Sequence, residues 1–195
     1  MNSEPAKLPD RFFDPTRDVF IAQSNRPAGI HDISLDILTP FQRALLVIDG
    51  TVTSFIEAYR MERVKIEKLG QEFRMMHEGH QWLELPAGGR VLERRVMLTG
   101  TDSGCLYAYA KSLIVFERLP VDMQEGLDNE PRGLGRILLD SDVETRREGL
   151  WYGRETINDP PAAVAGLHDG EFLSRTYRII TGHLPLMAIT ERFPC

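Results

Sequence analysis

The stretch from residue 90 to residue 116 constrains the fold more than any other. It reads RVLERRVMLT, then GTDSG, then CLYAYAKSLIVF. Two runs rich in aliphatic, β-branched and aromatic residues flank a short loop of Gly, Thr, Asp and Ser, the pattern of a β-hairpin. A lone hairpin is marginal in water. The chain must therefore supply more strands to pair with it and a layer to cover its apolar face.

Further strands are easy to find. RVKIEKLGQEFRM alternates Val64 and Ile66 before Leu69, and VETRREGLWYGRE reads as another strand. EFLSRTYRIITG and PLMAITERF read as two more, joined by a turn at Gly182 and His183. Helical spacing is confined to a few segments. In LTPFQRALLVIDG, Thr39 is placed to cap, Pro40 suits the first turn, and Phe41, Leu45, Leu46 and Ile48 form an apolar stripe. TVTSFIEAYRM predicts a second helix capped by Thr51 or Thr53. LPVDMQEGL predicts a third from Pro120, and RGLGRILLD a glycine-marked turn running into a fourth. DPPAAVAGLHDG reads as a connector. About six strands, mostly hairpin-linked and without βαβ alternation, predict an α+β fold: one antiparallel sheet with helices packed on it. The 195 residues, 42% of them hydrophobic, suffice for one core. Residues 1 to about 35 carry Pro5, Pro9, Pro15 and Pro27 with little periodicity. They read as an extended N-terminal arm, and residues 36–195 as the domain.

Two charges interrupt this pattern. In a strand, neighbouring side chains point to opposite faces. Arg94 then shares a face with Leu92, Val96 and Leu98, whereas Arg95 joins Glu93, Met97 and Thr99. The last strand repeats the oddity: Glu191 is in line with Met187, Ile189 and Phe193. A buried charge needs a partner. Two readings follow. Arg94 and Glu191 pair with each other or with backbone groups and simply hold the sheet. Alternatively they face a closed pocket, where the arginine grips a carboxylate and the glutamate handles a hydroxyl or a proton. Lys111, aligned with Tyr107 and Tyr109, either snorkels at the sheet edge or is a second cation facing the pocket, and Arg178 in TYRIITG has the same two readings. The Leu134–Gly135 turn offers backbone N–H groups.

Other chemistries find little support. With a formal net charge of −6 and no basic run, nucleic acid is not an expected partner. No apolar stretch is long enough to span a membrane, and the first residues lack a signal-peptide plan. Cys105 and Cys195 make no disulfide framework and fit plain thiols in a reducing cytoplasm. The five histidines, 31, 77, 80, 168 and 183, are scattered, and HEGH lacks the neighbours of a ligand set, so no metal is expected. There is no GxSxG, phosphate loop, CxxC or GxGxxG in a βαβ setting.

Five segments taken in order carry a family resemblance: IDGTVTSFIEAY, GGRVLERRVMLTG, YAYAKSLIVFERLP, GLGRILL with VETRREGLWYG, and TYRIITGHLPLMAITERF. Across about residues 40 to 194 the chain resembles the chorismate pyruvate-lyases, most closely the 4-hydroxybenzoate synthases of actinobacteria and archaea. The resemblance implies a ligand site enclosed under helical flaps on a six-stranded antiparallel sheet. It implies removal of pyruvate from chorismate, leaving 4-hydroxybenzoate, with no metal or organic cofactor. By motif, Arg94 matches the arginine on the ring carboxylate and Glu191 the glutamate of the pocket's polar end. Leu134 and Val52 match positions whose backbone contacts the ligand. Lys111 or Arg178 is then expected to hold the enolpyruvyl carboxylate. One departure is that Pro131 is displaced from the leucine-glycine pair by Arg132 and Gly133.

Two other functions are carried alongside the lyase. One is a non-catalytic aromatic-acid-binding module, since ligand-sensing domains of some transcription regulators share this fold. The other is a relative recruited to a different reaction, such as a cyclisation, on a carboxylated secondary metabolite. A small-molecule carboxylate is the expected partner in every case, and a monomer is the default.

Overall fold

The computed structural model describes residues 13–129, 133–141, 143–167 and 170–195. The displaced Pro131 and Arg132, and His168, lie outside these. Seven strands form one sheet: β1 (Ile30–His31), β2 (Val64–Met75), β3 (Arg90–Gly100), β4 (Leu106–Ile114), β5 (Arg146–Thr156), β6 (Glu171–Thr181) and β7 (Leu184–Pro194). Their order is β1-β5-β6-β7-β4-β3-β2, and every pairing is antiparallel. The helices are α1 (Pro15–Asp18), α2 (Pro40–Val47), α3 (Val52–Arg60), α4 (Val121–Asn129), α5 (Leu134–Asp140) and α6 (Ala162–Ala165). The α+β expectation is met, with one strand more than the periodicity indicated.

Local chemistry explains the element ends. At α2 the Thr39 hydroxyl accepts from the Gln42 N–H (3.2 Å) and the Gln42 side chain accepts from the Thr39 N–H (2.9 Å), a reciprocal capping box with Pro40 behind it. In the β3–β4 loop, the Glu62 carboxylate accepts from the N–H groups of Asp102 (2.7 Å) and Ser103 (2.6 Å). Gly133, before α5, has φ +85°, a left-handed conformation that favours glycine.

The core divides across the sheet. On one face, a cluster built on Leu45, Leu46, Val52 and Ile56 packs over Leu98, Ala108, Leu173 and Phe193. A second cluster on that face joins Met123, Leu127, Ile137 and Leu138 to Leu92, Ile114, Ile179 and Ile189. The opposite face carries smaller clusters, around Tyr109, Val164 and Phe172 and around Leu83, Val91 and Ala188.

The N-terminal segment differs from the extended-arm expectation where it is described. Phe20, Ala22 and Ile30 are buried, and Ile30–His31 pairs with Glu155 and Arg154 of β5 as the seventh strand. A two-residue strand and three separated apolar anchors leave no periodic signal. The connector at residues 159–167 likewise holds the short helix α6, whose Val164 is fully buried. No helix among the described residues is long and apolar enough to cross a membrane.

Candidate functional site

The two large clusters do not meet at the middle of the sheet, and the cause lies in β4. Along the middle of the strand its residues on that face are Ala108, Ala110 and Ser112, all small. The floor is therefore low where helices α3 and α5 arch over it, and a cavity remains. Its volume is about 70 Å³ for the centres of water-sized spheres, against the roughly 15 Å³ that one water needs. Ile66, Val96, Leu98, Leu138, Ile179 and Ile189 make most of the wall apolar.

Arg94 and Glu191 both line this cavity, as do Val52 and Leu134. Cross-strand register explains the placing. Gln71, Arg94, Ser112, Ile189 and Tyr177 form one row across five strands. The adjacent row runs Val96, Ala110, Glu191, Arg175. Arg94 is 4% exposed, and its Nη1 donates to the Leu127 carbonyl at the end of α4 (3.2 Å) and to Gln71 Oε1 (3.5 Å). Glu191 is not its counterpart. Glu191 Oε2 accepts from Arg175 Nε (2.8 Å) and Oε1 accepts from the Tyr177 hydroxyl (3.1 Å). Arg175 also donates to the carbonyls of Leu46 (3.3 Å) and Ile48 (3.0 Å) at the end of α2, where a cation complements the helix dipole. One guanidinium thus ties the α2 terminus to the glutamate. Burial and the Glu191 charge push the Tyr177 phenol far above its ordinary range, so it stays protonated and donates.

At the start of α3, Thr51 makes no side-chain cap, and its hydroxyl is buried without a partner among the described residues. Thr51, Val52 and Thr53 all border the cavity, so the unbonded N–H groups of a helix start lie at its edge. Gly135 lets the start of α5 approach: a Cβ there would meet Thr51 Cγ2 at 3.0 Å.

Lys111 and Arg178 are not brought to this cavity. Lys111 pairs across β3 with Arg95 and shares its face, the opposite one, where its Nζ meets Glu93 at 3.0 Å. A bulge explains the misleading alignment: Leu98 faces Ala108 while Thr99 faces Leu106, so Tyr107 is an extra residue and packs on the cavity side, away from Tyr109. Arg178 donates to Glu148 (2.8 Å) and to the Trp82 carbonyl (3.1 Å) on that same far face. The residues sequence reasoning missed are Arg175, Tyr177 and Arg147, the last a second cation on the cavity wall. Among the described residues no group of three or more His, Cys, Asp or Glu side chains is gathered to hold a metal. Cys105 and Cys195 are exposed and free of disulfides. His80 is half-buried; its Nδ1 accepts from the Leu83 N–H (3.1 Å), and burial lowers its pKa.

Comparison with known proteins agrees on one family. The family model described as "Chorismate pyruvate-lyase Rv2949c-like" matches residues 46–195. A chorismate pyruvate-lyase of Mycobacterium leprae is 31% identical over 157 residues, covering 77% of this chain and 72% of that protein. Its counterpart in Mycobacterium tuberculosis is 30% identical over 162 residues, covering 77% and 78%. Among solved structures, the effector domain of PhnF from Mycobacterium smegmatis superposes with a TM-score of 0.57 at 12% identity, covering 76% of this chain and 90% of that one. That last likeness is one of fold.

Proposed function

We propose that this chain, which belongs to the Rv2949c-like chorismate pyruvate-lyase family, eliminates pyruvate from chorismate and leaves 4-hydroxybenzoate. The observation that carries the reading is that Arg94 and Glu191, two buried charges with separate protein partners, line the same mostly apolar cavity.

The chemistry asks for little beyond what this cavity offers. The ring C3–O bond breaks with its electron pair going to the enolpyruvyl oxygen, and the ring loses a proton from C4. The leaving enol gains one proton at its methylene carbon, which completes pyruvate, so protons balance. Aromaticity supplies much of the driving force, and the protein contributes orientation, a dry pocket and an acid/base group. Arg94 anchors the ring carboxylate, and the N–H groups at Val52 and Leu134 add to that hold. In this reading Glu191, on the cavity wall, serves the hydroxyl and the reacting carbons. Two of its roughly four lone-pair sites are occupied by Arg175 and Tyr177, which leaves acceptor capacity for a substrate hydroxyl or proton. Arg175 is a positioning residue: it fixes the carboxylate without lining the cavity. No step calls for a metal or an organic cofactor.

Purified protein mixed with chorismate is expected to release pyruvate and 4-hydroxybenzoate in equal amounts, with the rate unchanged after dialysis against a chelator. An absence of pyruvate over a range of pH and salt would overturn the reading. Tight 4-hydroxybenzoate binding without turnover would mark a binding module, and a different product a recruited relative.

A further inference from the structure

Chorismate carries two carboxylates, and the site as described answers only one. Among the described residues the cavity wall holds two cations, Arg94 and Arg147. Arg94 is assigned to the ring acid. Arg147, on β5, sits across from Ile179 of β6, at the end of the row formed by Leu92, Ile114, Met187 and Ile179. It is four strands from Arg94, a backbone separation of roughly 19 Å at the usual strand spacing. The two cations therefore approach the cavity from opposite ends.

The state of the Arg147 side chain is the second observation. Its Nε is buried and has no hydrogen-bond partner among the described residues. Its Nη1 makes one long contact, 3.4 Å, to Asp49 Oδ1, and the Asp49 side chain is 78% exposed. A pair of that kind is weak. Arg175, the other guanidinium at this end, is fully engaged by Glu191 and two carbonyls. Of these two guanidiniums, Arg147 keeps donors to offer, in a fork that fits a carboxylate. Arg147 and Tyr177 also line the same recess beside the cavity.

We infer that Arg147 binds the second carboxylate of the substrate, the one on the enolpyruvyl side chain, and stabilises that fragment as it departs. As the C–O bond breaks, the departing fragment gains a negative charge next to its carboxylate. A cation held there is worth more in the transition state than in the ground state. Recess space beside the cavity, which Arg147 and Tyr177 also line together with Asp49 and Phe20, would receive the three-carbon fragment.

The inference rests on the lyase reading, and the test separates the two. Arg147→Gln and Arg147→Lys are compared with wild type in pyruvate release and in calorimetric binding of chorismate and of 4-hydroxybenzoate, which lacks the second carboxylate. Arg147→Gln is expected to lower kcat/KM for chorismate about 30-fold or more. It should leave 4-hydroxybenzoate affinity within about twofold, and Arg147→Lys should recover part of the loss. Unchanged affinity for 4-hydroxybenzoate also reports an intact fold. A kcat/KM within about threefold of wild type, or equal weakening of both ligands, overturns the inference while leaving the lyase reading in place. If wild type releases no pyruvate, the lyase reading falls. Selective loss of chorismate binding in Arg147→Gln then still supports the carboxylate site, and equal chorismate binding by wild type and variant overturns it. A wild type that binds neither ligand overturns both.

Discussion

Glu93 and Arg94 are neighbours in one strand, each 4% exposed, on opposite faces of the sheet. Equal burial hides opposite situations. Glu93 meets Lys111 at 3.0 Å, Arg74 at 3.5 Å and Arg95 at 3.7 Å, so the protein itself surrounds the charge. The far face continues in this manner, with Arg192 on both oxygens of Glu155 and Arg178 on Glu148. On the near face, charges are few and set around a cavity whose floor is Ala108, Ala110 and Ser112. A buried charge is thus no sign of a site by itself. What distinguishes Arg94 and Glu191 is the small-residue gap in front of them.

The two faces should differ most in stability. Arg175→Met would strand Glu191 without its ion-pair partner, the two side chains being only 4% and 7% exposed. The expected cost is about 3–5 kcal/mol. Lys111→Met removes one of three cations around Glu93 from a side chain that is 38% exposed, at an expected cost within about 1 kcal/mol. Denaturant unfolding of both variants checks this, and equal losses would mean that the two faces bury charge in the same way.

A smaller effect concerns Glu62, another carboxylate supplied entirely by the chain. The Tyr107 hydroxyl and the loop N–H groups hold its pKa down at about 2, against an ordinary 4.5. A depressed folded pKa stabilises the fold above the unfolded value, and that contribution is lost as pH falls through the folded one. Stability should therefore decline between about pH 4.5 and about pH 2, and Glu62→Gln should flatten that part of the profile. An unaltered profile would show that the loop contacts do not discriminate between the charged and neutral forms.

Arg94 and Glu191 were legible because alternation sets each one among large apolar neighbours. The same signal was available for Arg175, which shares its face with Leu173, Tyr177 and Ile179, whereas Arg178 alternates with Thr176 and Ile180. Arg147 gave no such signal. Its nearest same-face neighbour is Gly149, and the bulge between Gly149 and Trp151 then reverses the phase of β5. The bulge at Tyr107 misled the reading of Lys111 in the same way. Strand number and order of appearance follow from periodicity, but register and bulges depend on which strands pair, and that is settled by contacts far apart in sequence.

The central claim is that alternation divides the Arg94–Arg95 doublet into a ligand-binding residue and a peripheral one. The most direct test is kcat/KM for pyruvate release from chorismate by Arg94→Ala and Arg95→Ala, matched for folded fraction. Arg94→Ala is expected to lose about 100-fold or more, and Arg95→Ala to change by no more than about threefold. Equal losses in the two variants would contradict it.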